Sequence, residues 1–398
     1  MAAEYRHQEL RRMSRARWVP DLKAQEPTGS VRVVVPLRGI REYSATSLAS
    51  ILGQQYGGRL EWVFVTDSER DPVLPLLERC IADLPEEAQS RAVVLTAGKS
   101  STTTHDYVLC LDDDSELPPQ AVRNLVRDLE RDPEAFMCTG YPFDTPPQAP
   151  GSDTVASYAM LAYHLPLSIG FSIAERTSFV WGGCMLFRAG TLAPGHASGI
   201  VDAWRRGGYS DDLAAAATCT ARGLPILCPA HAVFRQPVPG DAALADAWRY
   251  LRRQLAVLIT YPDRRTRLTH LALAAAHAYW SLALVAPFLA LPLRALLAAD
   301  ARERPHGASP VPIAALGVAW IFCWGAEAVR FCWWRLGLGL LLNNALVPVC
   351  LVVTFLRPSI VWAGIRYTIR DGKVALIRHP EEGDGAPAAR RAQRERRR

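Results

Sequence analysis

A short apolar segment that runs straight into three aspartates limits most strongly how this chain can fold. The segment is Tyr107–Leu111, and the acidic run after it is Asp112–Asp114. Its composition is typical of a buried strand, and the carboxyl ends of such strands are where open α/β sheets bind ligands. Two carboxylates on one turn also suit a hard divalent cation that holds phosphate oxygens. A solvated acidic turn is the structural alternative.

Apolar segments alternate with helix-like segments over the first part of the chain. The predicted strands are Val31–Val35, Leu60–Val65, Arg91–Leu95, Tyr107–Leu111 and Cys184–Phe187. The predicted helices are 44–55, 72–84, 119–131, 211–223 and 241–260. This alternation predicts an α/β domain with a mostly parallel, doubly wound sheet, which we assign to residues 31–262.

One connection in this domain is unusually short. Only Thr96–Asp106 joins the third predicted strand to the fourth, and the segment is rich in Ser and Thr without helical periodicity. Parallel neighbours need a crossover of a dozen or more residues, usually a helix. We therefore expect that this connection lacks the helix that would otherwise line one side of a ligand site.

The chain after about Leu268 is much more apolar than the residues before it. Three apolar stretches lie there, at about Leu271–Ala298, Val311–Ala328 and Leu336–Leu356. We predict a membrane region over residues 268–356 with two or three hydrophobic helices, because about 20 apolar residues cross a bilayer. Arginines flank this region on both sides, which predicts that the globular domain and the C-terminus face the cytosol.

The two ends of the chain are polar and basic. We predict a disordered basic arm over residues 1–30 and a basic cytosolic tail over residues 357–398. The formal net charge is only +6, and the basic residues are not interleaved with aromatic ones, which argues against a nucleic-acid partner. Nine cysteines without a Cys-x-x-Cys pair argue against a zinc site or a disulfide framework.

Five polar elements follow one another in a definite order. They are Asp67 at a strand end, the run Asp112–Asp114, the loop Trp181-Gly182-Gly183, Asp212 at a helix start, and the pair Arg249 and Arg252. In this order the chain resembles membrane-bound inverting glycosyltransferases of the GT-A fold. Within that class it resembles the ceramide glucosyltransferases, especially their plant-type branch, most specifically in the strings Trp-Gly-Gly-Cys-Met and Gly-Tyr-Ser-Asp-Asp.

The resemblance implies transfer of glucose from UDP-glucose to the primary hydroxyl of ceramide, with inversion. It implies a metal ion, Mn²⁺ or Mg²⁺, with Asp114 as its ligand and Asp112 beside the ribose and diphosphate. Asp67 would accept a hydrogen bond from the uracil imide, and Asp212 would be the general base. The implied setting is a lipid bilayer of the endoplasmic reticulum or Golgi, with the catalytic domain facing the cytosol.

The remaining implied roles concern the two sides of the sugar. Arg249 and Arg252 would close over the diphosphate, because arginine forks match phosphate oxygens. Trp181, Gly182 and Gly183 would shape the acceptor side, where glycine lets the backbone approach a substrate closely.

Each of these residues also has a structural alternative. Asp67 is a possible turn residue, Asp212 a possible helix cap, and Trp181 a possible core residue. The two arginines are also typical of a solvated or membrane-proximal helix face.

The chain departs from the pattern of the family at two places. Arg253 stands where the family has Trp, and the short Thr96–Asp106 connection replaces a helix that carries Lys and Asn in relatives. Two other functions therefore stay open: transfer to another lipid alcohol, such as a sterol or diacylglycerol, and a non-catalytic membrane homologue.

Overall fold

The computed structural model describes residues 26–98, 104–145, 153–164, 175–206, 209–260, 264–300, 334–362 and 364–378. Its strands are β1 (Val31–Leu37), β2 (Leu60–Thr66), β3 (Ala92–Thr96), β4 (Tyr107–Leu111), β5 (Met137–Thr139), β6 (Tyr141–Thr145), β7 (Arg176–Thr177), β8 (Cys184–Arg188), β9 (Ile226–Leu227), β10 (Val233–Pro237), β11 (Ser359–Trp362), β12 (Ile365–Arg370) and β13 (Lys373–Arg378).

The helices of the described residues fall between these strands and after them. They are α1 (Ser44–Leu52), α2 (Leu74–Ala82), α3 (Glu86–Gln89), α4 (Ala121–Arg131), α5 (Val155–His164), α6 (Ile200–Arg205), α7 (Asp211–Arg222), α8 (Leu244–Ala256), α9 (Arg264–Asp300) and α10 (Trp334–Leu356). The predicted strands and helices of residues 31–262 all occur, with ends that differ by a few residues.

Half of the main sheet is parallel, as the alternation of strands and helices predicts. The order is β3-β2-β1-β4, and β1 pairs in parallel with both β2 and β4. Val31, Val33 and Val35 of β1 are almost fully buried and share one face of the strand, whereas Arg32 and Val34 on the other face are half-buried. The carboxyl ends of β1, β2 and β4 therefore meet at one edge.

The other half of the sheet is mixed, so the expectation of a mostly parallel sheet is corrected. Strand β8 runs antiparallel to β4, and Leu111 at the end of β4 lies opposite Cys184 at the start of β8. The order continues through β5, β9 and β7. Because of this reversal, the residues just before β8 lie beside the residues just after β4.

The short connection between β3 and β4 joins strands that are not neighbours. Strands β2 and β1 lie between them, so residues 97–106 must cover roughly 14 Å across the sheet and roughly 16 Å back along it. An extended chain of this length reaches about 33 Å, which is enough without a helix. Residues 99–103 of the connection lie outside the described residues.

The apolar C-terminal third contains two long helices among the described residues. One segment, Arg335–Leu356 in α10, is long and apolar enough to cross a membrane, and a shorter apolar segment, His270–Ala286, lies in α9. The predicted stretch Val311–Ala328 lies outside the described residues. Helix α10 contacts α5, α8 and α9, so it is joined to the α/β domain as well as to the other apolar helix.

Both predicted ends are partly folded. Residues 26–30 are fixed to the domain: the Ser30 hydroxyl donates to an Asp106 carboxylate oxygen at 2.7 Å, and the first 25 residues lie outside the described ones. The predicted tail from residue 357 is instead an antiparallel sheet, β11-β12-β13, as far as Arg378. Its last turn is Asp371-Gly372 with positive φ at both residues, the backbone that favours a tight hairpin.

A glycine in α10 allows the close crossing of α10 and α5. A Cβ at Gly339 would lie 2.5 Å from Cβ and 2.7 Å from the carbonyl carbon of Tyr158, whereas a Cβ at Gly337 would meet nothing within 4 Å. Gly339→Ala should therefore destabilise the protein by about 1–3 kcal/mol, because backbone must move.

Gly337→Ala is the matched control and should be neutral or stabilising by up to about 1 kcal/mol, since alanine favours helix. Thermal unfolding of the detergent-solubilised variants measures both. Equal melting temperatures for the two variants would contradict this packing.

Candidate active site

The acidic run forms a turn at the edge where the parallel strands end. Asp112 follows β4 directly, and its backbone N–H donates to the carbonyl oxygen of Gly183 at 3.3 Å. This bond exists because β8 is antiparallel to β4, so the Gly-Gly loop before β8 lies next to the acidic turn. The sequence prediction of a carboxylate cluster at a strand end agrees with this geometry.

A second acidic pair lies at the first turn of α7. Ser210 caps the helix, and Asp211 and Asp212 are its first residues. One Asp212 oxygen accepts the Leu213 N–H at 2.7 Å, and the other accepts the Gly182 N–H at 3.1 Å. A helix N-terminus favours a carboxylate, so the ionised side chain has a defined orientation.

The Gly-Gly loop therefore bonds to both acidic groups, and an added side chain would crowd Asp212 at Gly182 and overlap the Trp181 ring at Gly183. A Cβ at Gly182 would lie 3.3 Å from the Asp212 carboxylate, and one at Gly183 would lie 2.2 Å from the Trp181 ring. Trp181 itself is half-buried against the core and stacks on Phe234 with ring centroids 6.0 Å apart. The glycine backbone lies close to the acidic groups, its predicted approach to an acceptor stays a prediction, and Trp181 at least partly serves packing.

Crowding of these carboxylates changes their acidity. Removal from water, then the charges of Asp114 and Asp211, raise the pKa of Asp112 well above its ordinary value. Removal from water, then the charge of Asp211, raises the pKa of Asp212 to about 7. The pKa of Asp113 rises to about 6, first through loss of solvent, although Arg41 opposes the shift. The raised pKa values show that nearby positive charge does not compensate the negative charge of these carboxylates.

Two partners of Asp114 were not identified from the sequence. A single Arg41 nitrogen lies 3.5 Å from both the Asp113 and the Asp114 carboxylates. The Gln236 side-chain amide donates to Asp114 at 2.8 Å. Arg41 follows β1 at the same sheet edge, so its position in the sequence could have indicated that it lies near Asp114. Gln236 reaches the site through the separate β6–β10 pair, which the sequence does not indicate.

Asp67 lies at the same edge, two strands away from Asp112. It follows β2, is largely exposed, and pairs with Arg38 at 2.5 Å. Since β1 lies between β2 and β4, the two aspartates are separated by roughly 10 Å. That spacing is compatible with contacts to opposite ends of one nucleotide.

The two predicted diphosphate-binding arginines have other partners. The exposed Arg249 pairs with Asp246, one turn earlier in α8, at 2.5 Å. Arg252 donates to the carbonyl oxygens of Arg357 and Ser359 at 2.7 and 2.8 Å. Neither arginine is seen in an ion pair with the acidic cluster among the described residues, and their contact with a diphosphate stays a prediction.

The acidic cluster fits a hard cation by its chemistry. No three acidic, histidine or cysteine side chains of the described residues converge as a preformed metal site. Magnesium-type ions in nucleotide sites commonly use one or two carboxylates together with substrate phosphates and water. Asp114, with Asp112 beside it, supplies such oxygens and an unbalanced negative charge.

The comparisons with known proteins find a similarity over part of the chain. A family model described as Glycosyl transferase family 2 matches residues 32–193, which is less than half of the chain. Those residues are similar to that family. The match includes Asp67, the acidic run and the Gly-Gly loop, whereas Asp212 and the arginines of α8 lie beyond it. The matched residues contain most of the α/β domain with its mixed sheet.

Solved structures and curated sequences add little beyond the family. The mannosyltransferase PcManGT from Pyrobaculum calidifontis, in complex with GDP-Man and Mn²⁺, is 20% identical, with a TM-score of 0.47 over 89% of this chain and 96% of that chain. S. aureus TarS 1–349 in complex with UDP is 11% identical, with a TM-score of 0.34 over 60% of this chain and 68% of that chain. No curated protein matches by sequence.

Carboxylate crowding predicts that the metal-free protein loses stability as the pH rises. Because the pKa of Asp212 is raised to about 7, the folded protein keeps a proton that the unfolded chain releases above about pH 3.9. The stabilisation of the folded state by this proton is complete at low pH and is lost between about pH 4 and about pH 7. The apparent melting temperature of the metal-free protein should therefore fall from about pH 5 to about pH 7.5.

Asp212→Asn should make this fall smaller, and millimolar Mg²⁺ should raise the melting temperature more at the higher pH. Glu87→Gln, which removes an exposed carboxylate of α3, is the control and should keep the wild-type pH dependence. Identical pH profiles for the wild type and Asp212→Asn would contradict the assignment of this proton.

Proposed function

We propose that this protein is a glycosyltransferase that moves a hexose from a nucleoside-diphosphate sugar to a lipid hydroxyl with inversion. One observation carries the proposal: the Gly182-Gly183 loop bonds to Asp112 on one side and to Asp212 on the other. A group that binds the donor phosphates and a group that can take a proton are thereby held on either side of one loop.

The specific reaction we propose is glucose transfer from UDP-glucose to ceramide. Its support is the resemblance of the ordered strings to ceramide glucosyltransferases, including Trp-Gly-Gly-Cys-Met and Tyr-Ser-Asp-Asp. The apolar helix α10, in contact with the domain, is consistent with a lipid acceptor that is presented from a bilayer. We place the protein in the endoplasmic reticulum or Golgi, with the catalytic domain in the cytosol.

In this proposal Asp212 accepts the proton of the acceptor hydroxyl. The hydroxyl oxygen bonds to the anomeric carbon, while the bond from that carbon to the diphosphate breaks and the nucleoside diphosphate leaves with the electron pair. A base with a pKa of about 7 suits this task at neutral pH, because it is partly ionised and still binds a proton well. The N–H groups of Gly182 and Leu213 keep its oxygens in place.

The donor phosphates would lie at the acidic turn. Asp114 would hold Mn²⁺ or Mg²⁺, which when bound would neutralise charge on the leaving diphosphate, and Asp112 would lie beside the ribose and diphosphate. Asp67 would contact the base of the nucleotide from the end of β2, and its ion pair with Arg38 limits its orientation. Trp181, Gly182 and Gly183 would border the acceptor.

A microsomal assay with several nucleotide sugars and lipid acceptors tests this function. UDP-glucose with ceramide should be the productive pair. Turnover with a sterol or diacylglycerol instead would show that the protein glycosylates another lipid alcohol. Nucleotide binding without turnover on any acceptor would select a non-catalytic homologue, which the short residue 97–106 connection favours.

Asp212→Asn should lower turnover by about 10²–10⁴-fold, the usual contribution of a positioned general base. UDP binding should be retained, because the amide keeps the shape of the side chain and one acceptor oxygen. Asp211→Asn, at the adjacent exposed position, is the matched control and should lower turnover much less. Near wild-type turnover of Asp212→Asn would remove this residue from the mechanism.

Alkaline carbonate extraction and limited proteolysis of sealed microsomes test the membrane proposal. The protein should remain in the pellet after extraction, because α10 and the apolar part of α9 favour lipid. Protease added outside should digest residues 31–262 without detergent. Release into the supernatant, or protection of that domain, would contradict the proposed topology.

A further inference from the structure

Arg253 in α8 is a cation with aromatic neighbours and no acidic partner. Its guanidinium carbon lies 5.8 Å from the centroid of the Tyr250 ring and 5.6 Å from that of the Trp362 ring. No carboxylate of the described residues forms an ion pair with it, although the side chain is partly buried. Contact with ring faces leaves the in-plane N–H groups of a guanidinium available to an anion.

The position of Arg253 places it beside the helix that begins with the proposed base. Ala256, one turn further along α8, packs with Ile360 and Ile369 of the C-terminal sheet, and Tyr209 packs against the same cluster. Tyr209 directly precedes the Ser210 cap of α7, three residues before Asp212. Burial raises the pKa of Tyr209, Arg253 lowers it and Asp212 raises it, so both charges act on one hydroxyl.

A second set of contacts leads from Arg253 to the acidic turn. The Tyr250 hydroxyl lies 3.1 Å from the His164 ring, which is bonded to Asp144 at 2.7 Å. Asp144 lies opposite Gln236 in the β6–β10 pair, and the Gln236 amide donates to Asp114. Arg253 is therefore linked through neighbouring side chains to Asp114 as well as to the residues that precede Asp212.

We propose that Arg253 binds the diphosphate of the donor, and that Trp362 of the C-terminal sheet holds it in position. The inference rests on the proposed function. It assigns the anion-binding task to the residue after Arg252, because Arg252 is bonded to the carbonyl oxygens of Arg357 and Ser359. As the bond to the anomeric carbon breaks, negative charge grows on the diphosphate, and a fixed guanidinium stabilises it.

The test compares ligands with and without phosphates. The affinities of the full-length protein in detergent for UDP and for uridine are measured in the presence of Mg²⁺. Arg253→Gln should weaken UDP binding by roughly tenfold to a hundredfold, the range for a charged hydrogen bond, with uridine affinity unchanged. Arg79→Gln, which removes an exposed arginine in the last turn of α2, is the control and should leave both affinities unchanged.

Trp362 is a positioning residue, and two variants separate this role from simple packing. Trp362→Leu should weaken UDP binding without affecting uridine, whereas Trp362→Phe keeps an aromatic face and should stay near wild type. If Arg253→Gln fails to fold, Arg253→Lys keeps charge and bulk, and should still lose UDP affinity because lysine has no planar fork.

Two results would overturn the inference while leaving the proposed function intact. One is UDP affinity of the Arg253 variants within about twofold of a wild type that binds UDP, and the other is an equal loss for UDP and uridine. Absence of UDP binding by the wild type would instead overturn the proposed donor, and this inference with it.

Discussion

Repulsion between carboxylates at one edge of the sheet is the constraint on which the site depends. Asp112 and Asp114 end β4, Asp211 and Asp212 begin α7, and the described structure balances them mainly with Arg41. Such an arrangement costs free energy unless a cation or protons are bound. The fold tolerates it because backbone N–H groups hold Asp212 and because neither loop glycine has a side chain.

Helix α8 connects this edge to the apolar helices. Its buried side chains pack with α5, α10 and the C-terminal sheet in three separate clusters. Arg252 adds two hydrogen bonds to the carbonyl groups of the chain that leaves α10. A displacement of α10 relative to the domain would therefore be transmitted to Arg253 and Tyr250 through a well-packed element.

Local patterns were sufficient to predict the parallel half of the sheet and the acidic turn. Strand β4 has the predicted ends because five apolar residues stand between polar ones, and α7 begins at the predicted Asp211 because Ser210 and the acidic pair favour a helix start. The antiparallel β8 was not predictable, since one isolated apolar segment carries no signal for its direction or its neighbour.

Contacts between side chains that are distant in sequence could not be predicted either. The spacing of Arg249 and Arg252 says nothing about their partners in the fold, which are Asp246 for Arg249 and two carbonyl groups after α10 for Arg252. Gln236 is brought to Asp114 by pairing between strands far apart in sequence. The folded sheet at residues 359–378 was missed because its strands are short and basic, a composition that is equally typical of a tail.

The position of that sheet in the chain has a consequence for biosynthesis. Strands β11–β13 come after α10, yet Trp362 and Tyr367 pack beside α8 and the residue that precedes the cap of α7. During translation the α/β domain emerges first, and Trp362 and Tyr367 follow only after the apolar helices have been synthesised. A nascent chain that ends before β11 therefore lacks the aromatic neighbours of α8, so the packing around Arg253 is completed only with the last folded residues of the chain.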